Sequence, residues 1–493
     1  MQLHSRYNPH AEAARYIDSL KLKDTIKCFI LIEPGLGYII PVLRERYKES
    51  KIIALHIDDF PEQEKAVNCS IIPHVTEKTF APLTEETQLM QCAQIQKFLE
   101  THVQEDNTDN IKIIEWRPSL NVYKDSYVKL LSQVLEFLKR ADAGQRTTAV
   151  FGKRWFRNFF RNLENINKII LYMKSDIPVI VTGSGPGLEE AFPFIRKEQS
   201  RYLIIAASSS VPALSHNGIK PDIIITTDGT PWALWHLLCG IRNQRIRETG
   251  FAVSLCAAMP SQCADTPKLI INDGSLWQSV ILHELAIPSV VIPQRGTVSA
   301  TAAELAMMLS SGNIYLAGMD FSYNDIITHV KPYGFDSLFY GAAARFHPVY
   351  TELFTRSVLS REGGSMDIYA AWFKNQLISW PKRIFSITRG SNIFDYKNVL
   401  SLKQNKPEKI KNTDFIFNIE NIKEDNKKKY PADSPRHFRK RGTQILLNAM
   451  ENPEYKENLS RELKSLLFSG TSSDKTAVTD DELIMAIRGL SYD

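Results

Sequence analysis

The chain is organised around a glycine-rich turn that follows an apolar segment, Pro178-Val-Ile-Val-Thr-Gly-Ser-Gly-Pro-Gly-Leu-Glu-Glu-Ala191. The run from Val179 to Val181 is typical of a buried parallel strand, and the glycines let the backbone turn sharply. Pro186 suits the first turn of a helix, because its missing N–H is not needed there. A helix N-terminus presents unpaired amides, so the pattern favours either a phosphate-binding turn or a close packing turn between strand and helix.

Six further apolar segments follow this turn, with helix-like stretches between them: residues 202–207, 221–228, 252–256, 269–271, 289–292 and 313–321. Strands that alternate with helices predict a parallel sheet covered on both faces. We therefore predict an α/β fold with a central doubly wound, mostly parallel, Rossmann-like sheet. A smaller N-terminal α/β domain and a helical C-terminal region complete the prediction.

Periodicity and composition divide the chain into five segments: an N-terminal Rossmann-like α/β domain over 1–125, an all-helical connector over 126–175, a central domain over 176–400, a charged solvated linker over 401–433 and a helical region over 434–493. The last segment either docks a protein partner or caps the central domain. In the first segment, the turn at Gly35 and Gly37 and the acids Asp58-Asp59 follow two predicted strands. This pattern predicts either a ligand site or a packing turn.

The composition indicates an ordinary cytoplasmic protein. No apolar run reaches the roughly 18 residues that a membrane-spanning helix needs, and the first residues have no signal-peptide pattern. Six cysteines without a CxxC pair favour reduced thiols over a structural metal. The net charge of +5 is mild, which argues against a nucleic-acid binder. We therefore expect no membrane insertion, no nucleic-acid partner and no bound metal.

Polar residues at the predicted strand ends form the candidate site. Ser184 with the backbone of Gly183 and Gly185 would hold a phosphate or ribose, and Arg295 with the turn containing Thr297 and Ser299 would form a second group at a helix start. Arg295 could instead form a surface salt bridge. Asp228 could bind a ribose hydroxyl, ligate Mg²⁺ or cap the following helix, and Asp320 could orient substrate or brace its loop.

Four motifs in this order, GSGPGLEE, IKPDIIITTD, GTVSATAAELA and IYLAGMDFSYNDIITHV, resemble the motility accessory factor (Maf) family of bacterial flagellin glycosyltransferases. The central domain of that family is similar to bacterial sialyltransferases. The resemblance covers most of residues 8–400. It identifies 176–400 as a glycosyltransferase-like catalytic domain and matches Arg295, Thr297 and Ser299 to residues near the nucleotide and sugar of the donor. Where the sialyltransferases have an asparagine after the second strand, this chain has Ser208 or Ser209.

The resemblance also implies the reaction. His329 matches a Thr-His pair of the family and would act as general base, since a neutral imidazole can take the proton of a serine or threonine hydroxyl. Asp320 and Tyr323 would assist, and Lys331 would neutralise the donor's carboxylate. The implied donor is a CMP-activated nonulosonic acid, the acceptor is flagellin, and transfer is inverting. No DxD pair is present, which favours transfer without a metal cofactor, although Mg²⁺ is not excluded.

Two alternatives remain open at this stage. The same type of domain resembles an archaeal hydroxymethylpterin diphosphokinase, in which Asp228 and Asp320 would bind Mg²⁺. The other alternative is a non-enzymatic chaperone that binds flagellin through a nucleotide fold without activity.

Overall fold

The computed structural model describes residues 3–57, 70–71, 85–103, 108–242, 249–322, 325–359, 365–377, 380–389, 393–404, 417–421, 436–468 and 478–492. The chain divides into two compact units, residues 1–148 and 149–493. The five segments predicted from the sequence are a finer division, which stays a prediction. Among the described residues, no helix combines the length and apolar character needed to cross a lipid bilayer.

The first unit is built on a four-stranded parallel sheet in the order β3-β2-β1-β4. Its strands are β1 (Cys28–Ile32), β2 (Lys51–Leu55), β3 (Ser70–Ile71) and β4 (Ile111–Glu115). Its helices are α1 (Pro9–Ser19), α2 (Ile39–Arg46), α3 (Glu85–His102) and the first part of α4 (Arg117–Leu163). Buried side chains cover both faces of β1, as expected for a strand in the middle of a parallel sheet.

The second unit contains a ten-stranded sheet with the order β13-β12-β6-β7-β8-β9-β10-β5-β14, in which β11 also pairs with β10. Its strands are β5 (Lys168–Tyr172), β6 (Val179–Thr182), β7 (Leu203–Ala207), β8 (Ile223–Thr226), β9 (Gly250–Ser254), β10 (Lys268–Asn272), β11 (Ser289–Val291), β12 (Ile314–Ala317), β13 (Ile384–Ser386) and β14 (Phe417–Asn421). All pairings are parallel except that of β14 with β5. The predicted fold class is confirmed.

Helices cover both faces of this sheet, so most of its strands are buried. The helices that follow α4 in this unit are α5 (Leu188–Glu198), α6 (Val211–His216), α7 (Pro231–Arg242), α8 (Leu276–Glu284), α9 (Val298–Leu309), α10 (Asp336–Ala342), α11 (Val349–Leu359), α12 (Ser365–Leu377), α13 (Val399–Gln404), α14 (Arg436–Glu451), α15 (Lys456–Phe468) and α16 (Asp480–Tyr492).

Two segments differ from their sequence interpretation. Residues 126–175 are not all helical, because β5 joins the main sheet beside β10. The stretch predicted as a solvated linker contributes β14, which pairs antiparallel with β5 over five residues. Both strands lie at one end of the sheet, with β5 between β10 and β14. The sequence of β5 closely follows the long helical pattern of α4, and three of the five residues of β14 are polar, so neither stands out as a separate strand.

The C-terminal helices cap the second unit. Leu446, Leu463 and Ile487 are buried in one apolar cluster with Phe156 and Phe160 of α4. Helix α15 approaches α4 so closely that a side chain at Gly152 would overlap the carbonyl oxygen of Leu466. Of the two roles predicted for this region, the structure shows the cap.

Candidate functional site

The sheet of the second unit reverses its direction of growth between β6 and β12. From β6 the chain adds β7, β8, β9 and β10 on one side, and it later returns to place β12 on the other side of β6. Ligands of open α/β sheets bind at the carboxyl ends of the strands at such a switch point. The glycine turn follows β6, and the segment Gly318-Met-Asp320 follows β12. The two motifs therefore meet where a ligand crevice is expected.

The carboxylate of Asp320 fills the glycine turn. Its Oδ2 accepts a hydrogen bond from the Gly187 amide at 2.7 Å, and its Oδ1 accepts one from the Thr388 hydroxyl at 3.2 Å. A Cβ at Gly187 would lie 2.5 Å from Oδ1, and a Cβ at Gly183 would lie 2.5 Å from the Gly318 carbonyl oxygen. The glycines thus make room for the Gly318–Asp320 segment, and the carboxylate complements the positive end of α5.

Burial dominates the electrostatics of this carboxylate. Asp320 is 4% exposed. Burial raises the pKa of its carboxyl group, and the hydrogen bonds from Gly187 and Thr388 oppose that rise. Of the two roles predicted for Asp320, the geometry favours the brace of its loop.

The amides that the sequence offered to a phosphate donate within the protein instead. Gly183 N–H donates to the Ala317 carbonyl at 2.8 Å and Gly185 N–H to the Gly318 carbonyl at 2.7 Å. The predicted phosphate cradle is therefore closed by the protein's own groups at these amides.

The side-chain hydroxyl of Ser184 also lies at this turn. It accepts a hydrogen bond from the Ser209 hydroxyl at 3.0 Å, and both side chains are partly exposed. Ser208, which the sequence analysis selected, is buried. Of the two serines that the resemblance left open, Ser209 is therefore the one that contacts Ser184.

His329 lies beside the same turn. The Val330 amide donates to the Ser184 carbonyl at 2.9 Å, which fixes the loop of His329 against the glycine turn. The Nδ1 atom of His329 lies 2.8 Å from the Thr328 hydroxyl oxygen, and its ring stacks on Tyr333 with 4.1 Å between centroids. Tyr323, predicted to assist, lies outside the described residues.

A cavity of about 90 Å³ adjoins His329. Its walls are mainly apolar or aromatic and consist of Ile327, Thr328, His329, Lys331, Tyr333, Phe335, Phe339 and Leu353. Lys331, predicted to neutralise a carboxylate, forms an ion pair with Asp336. A ligand carboxylate would have to compete with Asp336 for this ammonium group.

A second group of candidates lies at the end of β8 and the start of α9. Asp228 is exposed, and its carboxylate accepts from the Thr230 amide at 2.8 Å and the Thr230 hydroxyl at 3.0 Å, immediately before α7. Asp228 thus forms an Asx turn ahead of the helix, and the predicted cap, which would accept from an amide inside α7, stays a prediction. Burial raises the pKa of Tyr369, and the negative charge of Asp228 raises it further. Tyr369 also lies 3.7 Å from the position of a Cβ at Gly296.

Arg295 is held by an ion pair. Its Nε lies 3.1 and 3.0 Å from the two carboxylate oxygens of Glu304, and its guanidinium lies over the ring of Trp372. The predicted contact with a donor therefore competes with Glu304, and the salt-bridge interpretation describes the geometry. Thr297 begins α9, where its hydroxyl accepts from the Ser299 amide at 3.4 Å.

The two groups share one edge of the sheet. Strands β6 and β8 are separated by β7, so the turns that follow them are roughly 10 Å apart at the usual strand spacing. Helix α9 packs on β6, β7, β8 and β12. The structure thus brings Ser184, Asp320 and His329 into contact through their loops, and it places Tyr369 beside Gly296.

Side chains of helix α4 form hydrogen bonds with the loops at this edge of the sheet. The Asn158 side chain donates to the carbonyls of Gly229 and Cys256, and the Asn162 side chain donates to those of Leu255 and Ala257. These contacts fix the loops after β8 and β9. The basic and aromatic sequence around Trp155 lies within this helix.

The glycine turn of the first unit is also filled from within. The His4 Nε2 accepts from the Leu36 amide at 2.9 Å, and a Cβ at Gly35 would lie 2.5 Å from that nitrogen. The packing interpretation of this turn is therefore favoured. Asp58 and Asp59 lie outside the described residues. Within the described part of the chain, no cluster of three or more His, Cys, Asp or Glu residues has the arrangement of a metal site.

Comparison with known proteins gives two kinds of similarity. A sequence-family model described as 6-hydroxymethylpterin diphosphokinase MptE-like matches residues 153–325. Two uncharacterised proteins of Treponema pallidum (strain Nichols) are also similar. One is 25% identical over 301 residues, 60% of this chain and 65% of its own length, and the other is 28% identical over 149 residues. The chain thus spans less than two thirds of the first relative.

Among solved structures, the Maf glycosyltransferase from Magnetospirillum magneticum AMB-1 matches with a TM-score of 0.51 and 15% identity. The match covers 94% of this chain and 73% of that protein. At this identity the likeness establishes a shared fold. The resemblance to the Maf family, inferred from four sequence motifs, is confirmed at that level.

Proposed function

We propose that the chain is a glycosyltransferase that transfers a nonulosonic acid of the pseudaminic or legionaminic type from its CMP-activated form to serine or threonine hydroxyls of flagellin. The position of His329 carries the proposal. Its loop is hydrogen-bonded to the glycine turn at the switch point of the sheet, and its ring borders a cavity. The fold shared with the Maf glycosyltransferase from Magnetospirillum magneticum supports the same reaction class.

In the proposed reaction, His329 acts as the catalytic base. It takes the proton of the acceptor hydroxyl while that oxygen attacks the anomeric carbon, and the bond from that carbon to the phosphate of CMP breaks. A single displacement of this kind inverts the anomeric configuration. If Nδ1–H donates to Thr328, Nε2 carries the lone pair that the base requires. A positioned base of this kind contributes roughly 10²- to 10⁴-fold to the rate.

The remaining groups bind the donor in this proposal. The N-terminus of α9, with the hydroxyls of Thr297 and Ser299, receives the phosphate of CMP, because a helix start carries partial positive charge. The hydroxyls of Ser184 and Ser209 contact the sugar or ribose. Lys331 lines the cavity and binds the donor's carboxylate when it exchanges from Asp336.

The proposed transfer needs no metal ion. A Mg²⁺-dependent diphosphokinase is the second candidate, favoured by the family model that matches residues 153–325. In that alternative Asp228 and Asp320 would share Mg²⁺, but both oxygens of Asp320 already accept hydrogen bonds within the protein. Release of AMP from ATP and a hydroxymethylpterin, abolished by EDTA, would support the diphosphokinase.

The test is a pair of histidine substitutions. His329→Ala should lower the rate of sugar transfer from CMP-pseudaminic or CMP-legionaminic acid to purified flagellin by about 10²-fold or more, because the base is removed. His283→Ala is the matched control, since the His283 side chain is 87% exposed on α8. CMP release and the intact mass of flagellin measure the transfer.

The results of this experiment distinguish the proposed transferase from the chaperone alternative. Transfer by the wild-type chain with equal transfer by His329→Ala would contradict the role of His329 as base. A wild-type chain that binds flagellin and transfers neither sugar would favour the chaperone alternative.

A further inference from the structure

A cluster of four aromatic rings anchors the segment that follows His329. We define the ring cluster as His236, Tyr333, Phe335 and the imidazole of His329 itself. Tyr333 stacks on His329 at 4.1 Å with 18° between the ring planes, and it contacts His236 at 4.9 Å and Phe335 at 5.3 Å between centroids. Tyr333 thus contacts all three other rings.

His236 connects this cluster to the framework of the fold. It lies on α7, is 7% exposed and also contacts Phe335 at 4.7 Å. A side chain at Gly334 would overlap the Nδ1 atom of His236, so the glycine lets the backbone of residues 333–335 pack directly on the imidazole. The segment is therefore fixed to a helix that begins immediately after Asp228 and Thr230.

A general base works only in the correct orientation. A histidine side chain has two rotatable bonds, and its nitrogen must face the hydroxyl proton within hydrogen-bonding distance. The Thr328 contact constrains Nδ1, but the imidazole can still rotate about that hydrogen bond, so the contact does not fix the plane of the ring. The parallel face of Tyr333 fixes that plane. Aromatic contacts of this geometry are favourable beyond simple burial.

We propose that Tyr333, supported by His236, is a positioning residue that fixes the ring plane of His329 for proton transfer. This inference rests on the proposed function, because it assigns Tyr333 a role in that same reaction. The Tyr333 hydroxyl has no part in the role, since the stacked ring alone performs it. A displacement of about 1 Å from productive geometry can lower a rate by roughly 10²-fold.

The test uses two substitutions at Tyr333 and one control. Tyr333→Ala removes the stacked face and should lower kcat for sugar transfer from CMP-pseudaminic or CMP-legionaminic acid to flagellin by about 10- to 100-fold, with the KM for the donor changed less than about threefold. Tyr333→Phe keeps the ring and should retain at least about half of kcat. Tyr340→Ala, an aromatic residue 60% exposed on α10, should leave kcat unchanged.

A second measurement reports the ring contact without any reaction. A proton held over an aromatic face is shifted upfield in the NMR spectrum, so the Hε1 resonance of His329 in histidine-labelled protein should move downfield in Tyr333→Ala. In Tyr333→Phe it should stay near its wild-type position. Far-UV circular dichroism of each variant confirms that the fold is intact.

The results distinguish two failures. An active wild-type chain with unchanged kcat in Tyr333→Ala, or an unchanged His329 resonance in that variant, overturns the positioning role alone. A wild-type chain that transfers neither sugar overturns the proposed function and this role with it. A low kcat in both Tyr333→Ala and Tyr333→Phe also overturns the role, because the hydroxyl would then be required.

Discussion

Gly187→Ala tests whether the glycine turn is built to receive a carboxylate from within the chain. Gly187 has φ −62° and ψ −16°, so alanine can adopt its backbone conformation without strain. The added Cβ would lie 2.5 Å from Oδ1 of Asp320 and 3.0 Å from both Cγ and Oδ2. The nearer oxygen must retreat by about 0.9 Å to reach the 3.4 Å of an ordinary contact.

That retreat has a calculable cost. It disturbs the hydrogen bonds that Asp320 accepts from the Gly187 amide and the Thr388 hydroxyl, and the buried carboxylate cannot recover them from water. A hydrogen bond to a charged group contributes about 1.5–3 kcal/mol, and overpacking a buried site costs about 1–3 kcal/mol. Since the bonds are weakened and not fully lost, we expect the free energy of unfolding to fall by about 3 kcal/mol.

Urea denaturation followed by tryptophan fluorescence measures this change. Six of the seven tryptophans belong to residues 149–493, so the signal reports the second unit. Gly489→Ala in α16 is the control, because a Cβ there meets nothing within 4 Å. It should stabilise the protein by about 0.5–1 kcal/mol. A Gly187→Ala variant within 0.5 kcal/mol of the wild type would refute the claim that Asp320 fills the turn.

Two further predictions concern pH. Burial lowers the pKa of His236 to about 4, below the usual 6.5, so the stability that its neutral form provides is complete above pH 6.5 and is lost as the pH falls through 4. The free energy of unfolding should fall by about 3 kcal/mol in this way. The urea midpoints at pH 4.5 and 7.5 should therefore differ less in His236→Phe than in the wild-type protein. Burial raises the pKa of Glu462 to about 7 from 4.5, so its contribution is complete below pH 4.5 and is lost as the pH rises through 7. Glu462→Gln should therefore raise the urea midpoint at pH 8 and not at pH 4.5. An equal effect at both pH values would contradict the raised pKa of Glu462.

The sequence predicts most of the second unit's architecture, because its strands are apolar on both faces. Val179 to Val181 and Ile223 to Ile225 face helices on both sides of the sheet, and such runs have few alternatives to a central parallel strand. The strand β5 was missed because its sequence closely follows a long helical pattern, and β14 because it is mostly polar. Their pairing depends on contacts between segments about 250 residues apart.

The sequence was sufficient to predict where in the fold the candidate site lies. It was less informative about the contacts that the site residues make. The ends of β6, β8 and β12 carry the polar residues that the sequence pattern selected, and they share one edge because parallel strands share a direction. Asp320 reaches the Gly187 amide from 133 residues away, whereas Glu304 and Asp336 lie only 9 and 5 residues from Arg295 and Lys331. Glu304 holds Arg295 and Asp336 holds Lys331, and an ionisable side chain in a sequence does not show whether its counter-charge will come from the protein or from a ligand.

The glycine motif shows why local patterns mislead at this point. A turn that needs small residues to admit a phosphate and one that needs them to admit a carboxylate have the same sequence, since both require open space and free amides at a helix start. Asp320 supplies the anion 133 residues after Gly187. Because Asp320 satisfies that helix start from within, the expected ligand contacts move from the glycine amides to the side chains around the cavity beside His329.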